Sequence, residues 1–400
     1  MINNNKVTGG LMAFIVAPFA TAIYAVTKAG EKWTYLVLAL FTALFGYCAI
    51  PDETMDFYRY LHLLDYFSWA DTSEFGTDKY VYFVTGIVSN VTRNGHILMA
   101  VFGAIYGLLF AMSLQFFTDK EKGLPKYVYL FFVMLFANAV SLKGLGGVRF
   151  GTATFMFFIG VYNYIVTKNY KFLIIIALTP LVHFSFIIYD AIFLAFYLSK
   201  KFPRVIVYAF LISFILNVAN VGSFLSQYSF LFGDEIAERG VDYINSDLDE
   251  MKKAYQGAFW TRVGIYFRYC EYFALIFIYI HAKRHQGKIN FSSDTGLMFL
   301  FCLVFGIFGN IFEPIPHLGL RTQGLFSSFL ILPIFRYCRD NWQYQDITMM
   351  LMTCIMTAGG FLKIIIGIRT VVDITPISLV FCPLPFTQIT DTTMNVLFGL

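Results

Sequence analysis

The sequence predicts an all-α, polytopic integral membrane protein with about 11–12 transmembrane or re-entrant helices. Three properties of the 400 residues favour this class: 58% are hydrophobic, only 14% are charged, and the apolar residues lie in long runs. Soluble domains carry about 25% charged residues, so this composition is not that of an ordinary globular protein. The net charge of +4 is too small to indicate a nucleic-acid partner.

Apolar runs recur along the whole chain, and a helix needs about 20 such residues to cross a bilayer. The predicted spans are about 11–28, 34–50, 95–117, 127–142, 150–167, 203–221, 261–281, 294–312, 324–340 and 347–368. We expect them to form a single transmembrane domain over residues 1–400. Residues 371–400 are also apolar, but three prolines interrupt them and leave this segment unassigned.

Loop charge predicts the orientation, because short loops rich in Lys and Arg stay in the cytoplasm. Basic loops lie near residues 28–32, 120–126, 168–171, 200–204, 283–288 and 336–339. The opposite loops are acidic: 51–80 has seven Asp or Glu and two Lys or Arg, and 222–260 has seven and three. We therefore assign these two loops, and a third at about 313–323, to the outer side.

Residues 171–199 are too long for one simple span and short for two. Both ends carry basic residues assigned to the cytoplasm, and Pro180 interrupts the helix near its middle. We expect two short helices with His183-Phe184-Ser185 near the tip between them, in the outer half of the membrane. One long, tilted span is the alternative.

A glycine-rich turn precedes Arg149, which opens an apolar helix. Gly146 and Gly147 allow backbone N–H groups to approach an anion, and a helix N-terminus favours negative charge. The planar guanidinium suits phosphate oxygens. The pattern predicts a diphosphate or carboxylate site, although an arginine that reaches lipid headgroups would look similar.

Further polar residues border the other spans. Arg321 follows His317 by four residues at the start of a late span, where a second cation could bind a second anion. His183 is a possible general base with the Ser185 hydroxyl beside it, although a lone histidine in an apolar run is more often a core residue.

The first outer loop combines carboxylates with cationic and aromatic side chains. Asp52, Asp56, Arg59 and Tyr60 suit the binding of sugar hydroxyls, and one carboxylate could act as a base. Asp56 and Tyr60 lie one turn apart if the segment is helical. A solvated acidic surface is the alternative, and no metal-specific motif is present in this loop.

One apolar helix carries Arg262, Arg268 and Glu271. Charged groups inside a membrane are costly, which makes all three candidates for function. Arg268 and Glu271 are three residues apart and can pair, so a structural ion pair is an equal alternative. The position of Lys363 within the last span has no explanation from the sequence.

The order of these motifs resembles the EpsG-like branch of the Wzy-type bacterial polysaccharide polymerases. The resemblance covers about residues 10–340. It rests on the Asp56-to-Tyr60 pattern after the second span, Arg149 opening a middle span, His183-Phe184-Ser185 about thirty residues later, and Arg321 opening a late span.

The resemblance implies a GT-C-like helical fold and a glycosyltransferase at the outer face of the bacterial cytoplasmic membrane. Such enzymes join undecaprenyl-diphosphate-linked repeat units of O-antigen, capsule or exopolysaccharide, without metal, nucleotide sugar or other cofactor. Arg149 and Arg321 would bind the two diphosphates, and His183 or Asp56 would take the acceptor proton. The implied partners are lipid-linked oligosaccharides, membrane lipids, a chain-length regulator and a flippase, and no nucleic acid.

Three other functions remain open at this stage. An O-antigen ligase, or another glycosyltransferase acting on lipid-linked sugars, should have a larger outer domain than 222–260. A flippase or transporter should carry polar groups through the full membrane depth and inverted repeats. A sugar acetyltransferase should show cytoplasmic-side His and Arg near the first helix, which this sequence lacks.

Overall fold

The computed structural model confirms the all-α fold. It describes residues 4–51, 53, 55–69, 79–118, 124–139, 143–214, 259–285, 290–313, 316–387, 389 and 392–394. Regular structure in this part of the chain is helical, apart from one isolated bridge between Pro376 and Thr393. Within the described residues, six helices are long and apolar enough to cross a membrane, and five shorter apolar helices of 10–17 residues accompany them. The chain is thus a polytopic membrane protein.

Contacts within the chain define two compact units, Met1–Ile188 with Ile364–Leu400, and Tyr189–Lys363. The first unit contains α1 (Asn4–Val16), α2 (Pro18–Thr27), α3 (Lys32–Cys48), α4 (Asp56–Leu61), α5 (Leu63–Tyr66), α6 (Lys79–Ser89), α7 (Gly95–Leu114), α8 (Lys126–Ala139), α9 (Lys143–Gly146), α10 (Val148–Thr167), α11 (Lys171–Ala177) and α12 (Thr179–Val182). The single transmembrane domain expected from the sequence stays a prediction.

The remaining helices belong mainly to the second unit. They are α13 (Phe186–Ser199), α14 (Pro203–Ser213), α15 (Phe259–His285), α16 (Asp294–Ile311), α17 (Pro316–Asn341), α18 (Ile347–Val372) and α19 (Ile377–Phe381). The first three residues of α13, the last turns of α18 and all of α19 lie in the first unit. Most of the predicted outer loop 222–260 lies outside the described residues.

Glycines allow α3 and α7 to pack closely in the first unit. A Cβ on Gly46 would lie 2.4 Å from the Met99 carbonyl oxygen, and one on Gly103 would lie 2.2 Å from that of Thr42. The Thr42 hydroxyl donates to the Gly103 carbonyl oxygen at 2.7 Å. Small residues and interhelical hydrogen bonds drive helix association where lipid provides no hydrophobic force.

Aromatic rings and amide hydrogen bonds hold the second unit together. Phe305 of α16 stacks on Phe329 of α17 with ring centroids 5.8 Å apart. Asn310 connects two further helices, because its Nδ2 donates to Ser213 at 2.9 Å and its Oδ1 accepts from Tyr272 at 2.9 Å. These side chains satisfy each other in a region where water is scarce.

Asp346 directly precedes the last long helix, α18. Its Oδ1 accepts a hydrogen bond from the Met349 N–H at 2.9 Å. Partial burial alone would raise the pKa of Asp346. This effect is smaller than the combined effect of the hydrogen bonds from the Met349 N–H and His285 and of the nearby His281, and the pKa falls to about 2. Asp346 therefore supplies a fixed negative charge at the N-terminus of α18, where the helix dipole favours it.

The segment 171–199 is interrupted as predicted, first just before Pro180 and again at His183-Phe184-Ser185. Helix α11 ends at Ala177, and Pro180 lies in the first turn of α12, where its missing N–H costs nothing. The main interruption is at His183-Phe184-Ser185, between α12 and α13. The membrane side of this interruption stays a prediction.

The tail, unassigned from the sequence, packs in the first unit. The Ile50 N–H donates to the Ile374 carbonyl oxygen at 3.1 Å, and the Met394 N–H donates to that of Thr375 at 2.9 Å. Pro376 thus directs a short helix, α19, toward α2 instead of continuing α18.

Candidate functional site

Two helix starts in the first unit bring Arg149 and Asp56 together. Asp56 is the first residue of α4, and Arg149 is the second residue of α10. Arg149 Nη2 lies 3.6 Å from Asp56 Oδ2. The Arg149 side chain is 22% exposed and that of Asp56 is 53% exposed, so both can still reach a ligand.

Tyr60 lies one turn after Asp56, as the sequence predicted, and its ring faces two guanidinium groups. The ring centroid is 5.5 Å from Cζ of Arg59 and 5.9 Å from Cζ of Arg149. Tyr60 is only 2% exposed, and burial raises the pKa of its hydroxyl despite the nearby Arg149. The ring therefore positions two cations while its hydroxyl stays protonated.

The glycines before Arg149 differ from the predicted turn. Lys143–Gly146 forms a short helix, and neither Gly146 nor Gly147 has a positive φ. Among the described residues, nothing lies within 4 Å of a Cβ placed on Gly146, and a Cβ on Gly147 would meet only the Gly144 carbonyl oxygen at 4.0 Å. Neither packing nor backbone strain requires these glycines. They leave space beside the N-terminus of α10, where Gly147 has no side chain to cap the first N–H groups.

Gly151, which the sequence analysis passed over, has a different role. A Cβ there would lie 2.5 Å from the Gly144 carbonyl oxygen and 2.7 Å from the Tyr106 ring. This glycine allows α9 to fold back against α10, and so it sets the approach to Arg149. The signal in the sequence was its helical spacing of four from Gly147.

His183 and Ser185 lie beside the start of α10. The His183 ring meets the edge of Phe150, the residue after Arg149, with centroids 5.5 Å apart. The Ser185 N–H donates to His183 Nδ1 at 3.2 Å, and Ser185 Oγ is 2.9 Å from the same nitrogen. Because Nδ1 accepts a backbone hydrogen bond, the neutral ring carries its proton on Nε2.

In the second unit, the predicted ion pair between Arg268 and Glu271 is not formed. Arg268 does not pair with Glu271 but donates to Glu313 Oε1 at 3.0 Å. Glu271 is fully buried, and its Oε2 accepts from the Ser327 hydroxyl at 2.6 Å. Arg268 and Lys363 are its charged neighbours. The long Arg268 side chain reaches past its own helix, whereas the shorter Glu271 faces α17.

Ser327 and Glu313 are thus polar partners that the sequence analysis missed. A serine within an apolar run and a carboxylate before Pro314 were the available signals. Arg321 lies in α17 and is partly buried. Its predicted role, like those of Arg262, Arg268 and Ser185, stays a prediction. The side chains of Arg262 and His317, and all of Asp52, lie outside the described residues.

The fold and the site define a helical membrane protein with a cationic, partly exposed cluster at a helix start. The EpsG family model matches residues 32–341, which is 310 of the 400 residues. The chain therefore belongs to the EpsG family, and the resemblance predicted from its motifs is confirmed. This membership indicates a polysaccharide polymerase-type role. Neither the curated proteins nor the solved structures gave a match.

Proposed function

We propose that this protein is a glycosyltransferase that polymerises undecaprenyl-diphosphate-linked oligosaccharide repeat units at the outer face of the bacterial cytoplasmic membrane. The observation that carries the proposal is the contact of Arg149 with Asp56 and Tyr60 at the uncapped start of α10. A guanidinium at a helix N-terminus favours a diphosphate, while a carboxylate favours the hydroxyl groups of a sugar. The two halves of the expected substrate thus find complementary groups within one cluster.

In this mechanism Arg149 binds the donor diphosphate and stabilises the negative charge that develops on it. The bond between the anomeric carbon and the phosphate oxygen breaks, and its electron pair leaves with the diphosphate. A hydroxyl oxygen of the acceptor sugar forms the new bond to that carbon and inverts the anomeric centre. No metal or nucleotide sugar takes part, because the diphosphate is already the leaving group.

The proton of the acceptor hydroxyl goes to Asp56 in this account. His183 is less well placed to take it, since the Ser185 N–H points at Nδ1 and the neutral ring already carries a proton on Nε2. We therefore assign His183 the role of a hydrogen-bond donor through Nε2–H to substrate oxygen. Arg59 binds the sugar, Tyr60 positions the Arg59 guanidinium, and Arg321 keeps its predicted role at the second diphosphate.

The acidic composition of 51–80 supports an outward-facing site in a multi-pass protein of the bacterial inner membrane. This placement suits lipid-linked units that a flippase has already delivered to the outer leaflet. A chain-length regulator in the same membrane is the further partner that the proposal expects.

The test is a deletion strain complemented with wild type, Arg149→Ala or Arg204→Ala, with the surface glycan resolved on a gel. Arg204 is a matched control, because it is exposed and is also the second residue of a helix, α14. We expect Arg149→Ala to leave single repeat units on their final anchor, and Arg204→Ala to keep long chains.

Two other patterns would contradict the proposal. Long polymer that stays on the lipid carrier in the deletion strain indicates a ligase. Repeat units that never reach the outer face indicate a transporter, and the assigned catalytic roles then fail.

A further inference from the structure

A second cluster of polar side chains lies in the second unit, outside the proposed reaction. His281 and His285 are four residues apart in the last turns of α15, so their rings lie on one face of the helix, with centroids 4.6 Å apart. Asp346, just before α18, lies against both. Its Oδ2 is 3.1 Å from His285 Nε2, and its Oδ1 is 3.9 Å from His281 Nε2.

These distances are close to those of a metal centre. One ligand atom from each of the three residues lies within 4.8 Å of the others. In a tetrahedral zinc site, metal–ligand bonds of about 2.0–2.2 Å place ligand atoms about 3.3 Å apart. The His285–Asp346 pair already fits, and side-chain shifts of about 1 Å would bring in His281.

Surrounding hydrogen bonds orient the ligands, as outer partners do in metal sites. The Tyr337 hydroxyl lies 2.8 Å from His281 Nδ1 and also donates to the Ile278 carbonyl oxygen at 3.5 Å. It can therefore accept a hydrogen bond from Nδ1–H, in the tautomer that leaves the lone pair of His281 Nε2 available to a metal. In the other tautomer His281 Nε2–H donates to the Tyr344 carbonyl oxygen at 2.7 Å, so a bound metal would replace this hydrogen bond and leave that oxygen as a further ligand.

The Arg284 guanidinium lies close to the proposed metal ligand Asp346 and would repel a bound metal ion. Arg284 Nη1 lies 3.6 Å from Asp346 Oδ2, but it also donates to the Thr348 hydroxyl at 2.9 Å. Thr348 can thus hold the guanidinium when a metal occupies Oδ2. His281 is buried whereas the His285 side chain is 31% exposed, so an ion can enter from the His285 side.

We propose that His281, His285 and Asp346 bind a first-row transition-metal ion of the Zn²⁺ type, with water or the Tyr344 carbonyl oxygen as the fourth ligand. Two imidazoles and one carboxylate are a ligand set that suits Zn²⁺ and related ions better than Ca²⁺ or Mg²⁺. The ion would fasten the end of α15 to the start of α18. Its role is structural and separate from the proposed glycosyl transfer.

The experiment measures zinc bound to the purified full-length chain, produced with a tag that contains no histidine. The protein in detergent is stripped with a chelator, loaded with Zn²⁺, freed of excess ion and analysed by mass spectrometry of the metal. We expect about one zinc ion per wild-type chain and a loss of most of it in His285→Ala and Asp346→Asn.

His62→Ala is the matched control. His62 Nδ1 lies 3.2 Å from Asp65 Oδ2 in an exposed pair, and no third ligand was found beside this pair among the described residues. This variant should retain the zinc of wild type. A wild-type chain without zinc, or a His285→Ala variant that keeps as much as wild type, overturns the proposal.

Thermal unfolding separates metal binding from misfolding. Zn²⁺ should raise the unfolding temperature of wild type and His62→Ala, because a ligand that binds only the folded state stabilises it. Each ligand variant should elute as a single species and unfold at the same temperature with and without Zn²⁺. An equal rise in the ligand variants contradicts the assigned ligands.

Discussion

Two polar clusters, one in each unit, differ in how their charges are held. In the first unit Arg149 and Asp56 are 3.6 Å apart, and about half of the Asp56 side chain is exposed. In the second unit Glu271 is fully buried and accepts a hydrogen bond of 2.6 Å from Ser327. Charged groups that stay hydrated, such as Arg149 and Asp56, can exchange water for a substrate. A buried carboxylate such as Glu271 has lost its water and is stabilised only by its hydrogen bonds and charges within the protein. Substitution should therefore change activity in the first cluster and stability in the second.

The largest effect is expected at Asp56. Asp56→Asn keeps the size of the side chain but removes the base, and should lower the polymerisation rate by about 10²–10⁴-fold. The rate is measured with purified protein and a lipid-linked repeat unit. Asp65→Asn is the control, since Asp65 is an exposed carboxylate of α5 that pairs with His62. If Asp56→Asn and Asp65→Asn lowered the polymerisation rate equally, Asp56 would have no specific role as the base.

In the second cluster we expect a loss of stability. Glu271→Ala takes a fully buried carboxylate away from Ser327 and the partly buried Lys363, and should lower the free energy of unfolding by about 3–5 kcal/mol. Glu313→Ala removes an exposed partner of Arg268 and should cost less than about 1 kcal/mol. Denaturation in mixed micelles measures both. A stable Glu271→Ala protein that cannot polymerise would move this carboxylate into the reaction.

The two clusters also differ in how much of each could be predicted from the sequence. Apolar runs predicted the helices, and the spacing of Asp56 and Tyr60 predicted one helical turn, because both depend on local periodicity. The predicted partner of Arg268 was wrong, because whether this arginine contacts Glu271 or Glu313 depends on packing between helices. Asp346 lies 61 residues from His285, so only the four-residue spacing of the two histidines could have signalled their cluster.

The role of His183 predicts a smaller effect that depends on the replacement. His183→Gln places an amide N–H near the position of Nε2–H and should retain activity within about tenfold of wild type, whereas His183→Ala should lose more. The same assay compares their rates. A His183→Gln variant as inactive as Asp56→Asn would instead make His183 the base.

The smallest effects are expected from alanine substitutions at Gly151 and Gly147, which differ in their surroundings. Gly151→Ala should destabilise the fold by about 1–3 kcal/mol, because its methyl group meets the Gly144 carbonyl oxygen at 2.5 Å. Gly147→Ala faces open space and should leave stability within about 0.5 kcal/mol. If the diphosphate approaches this backbone, Gly147→Ala still lowers the rate severalfold. Thermal unfolding and rate together distinguish a packing glycine from a binding one.

In the proposed reaction a cationic cluster around Arg149 joins lipid-linked repeat units without a metal. The most direct test reconstitutes the protein in liposomes with an undecaprenyl-diphosphate-linked repeat unit and no added divalent cation, and resolves the products on a gel. We expect a ladder of polymers with wild type and Arg204→Ala, and unreacted single units with Arg149→Ala. A ladder of equal length with Arg149→Ala, or no ladder with wild type, would contradict it.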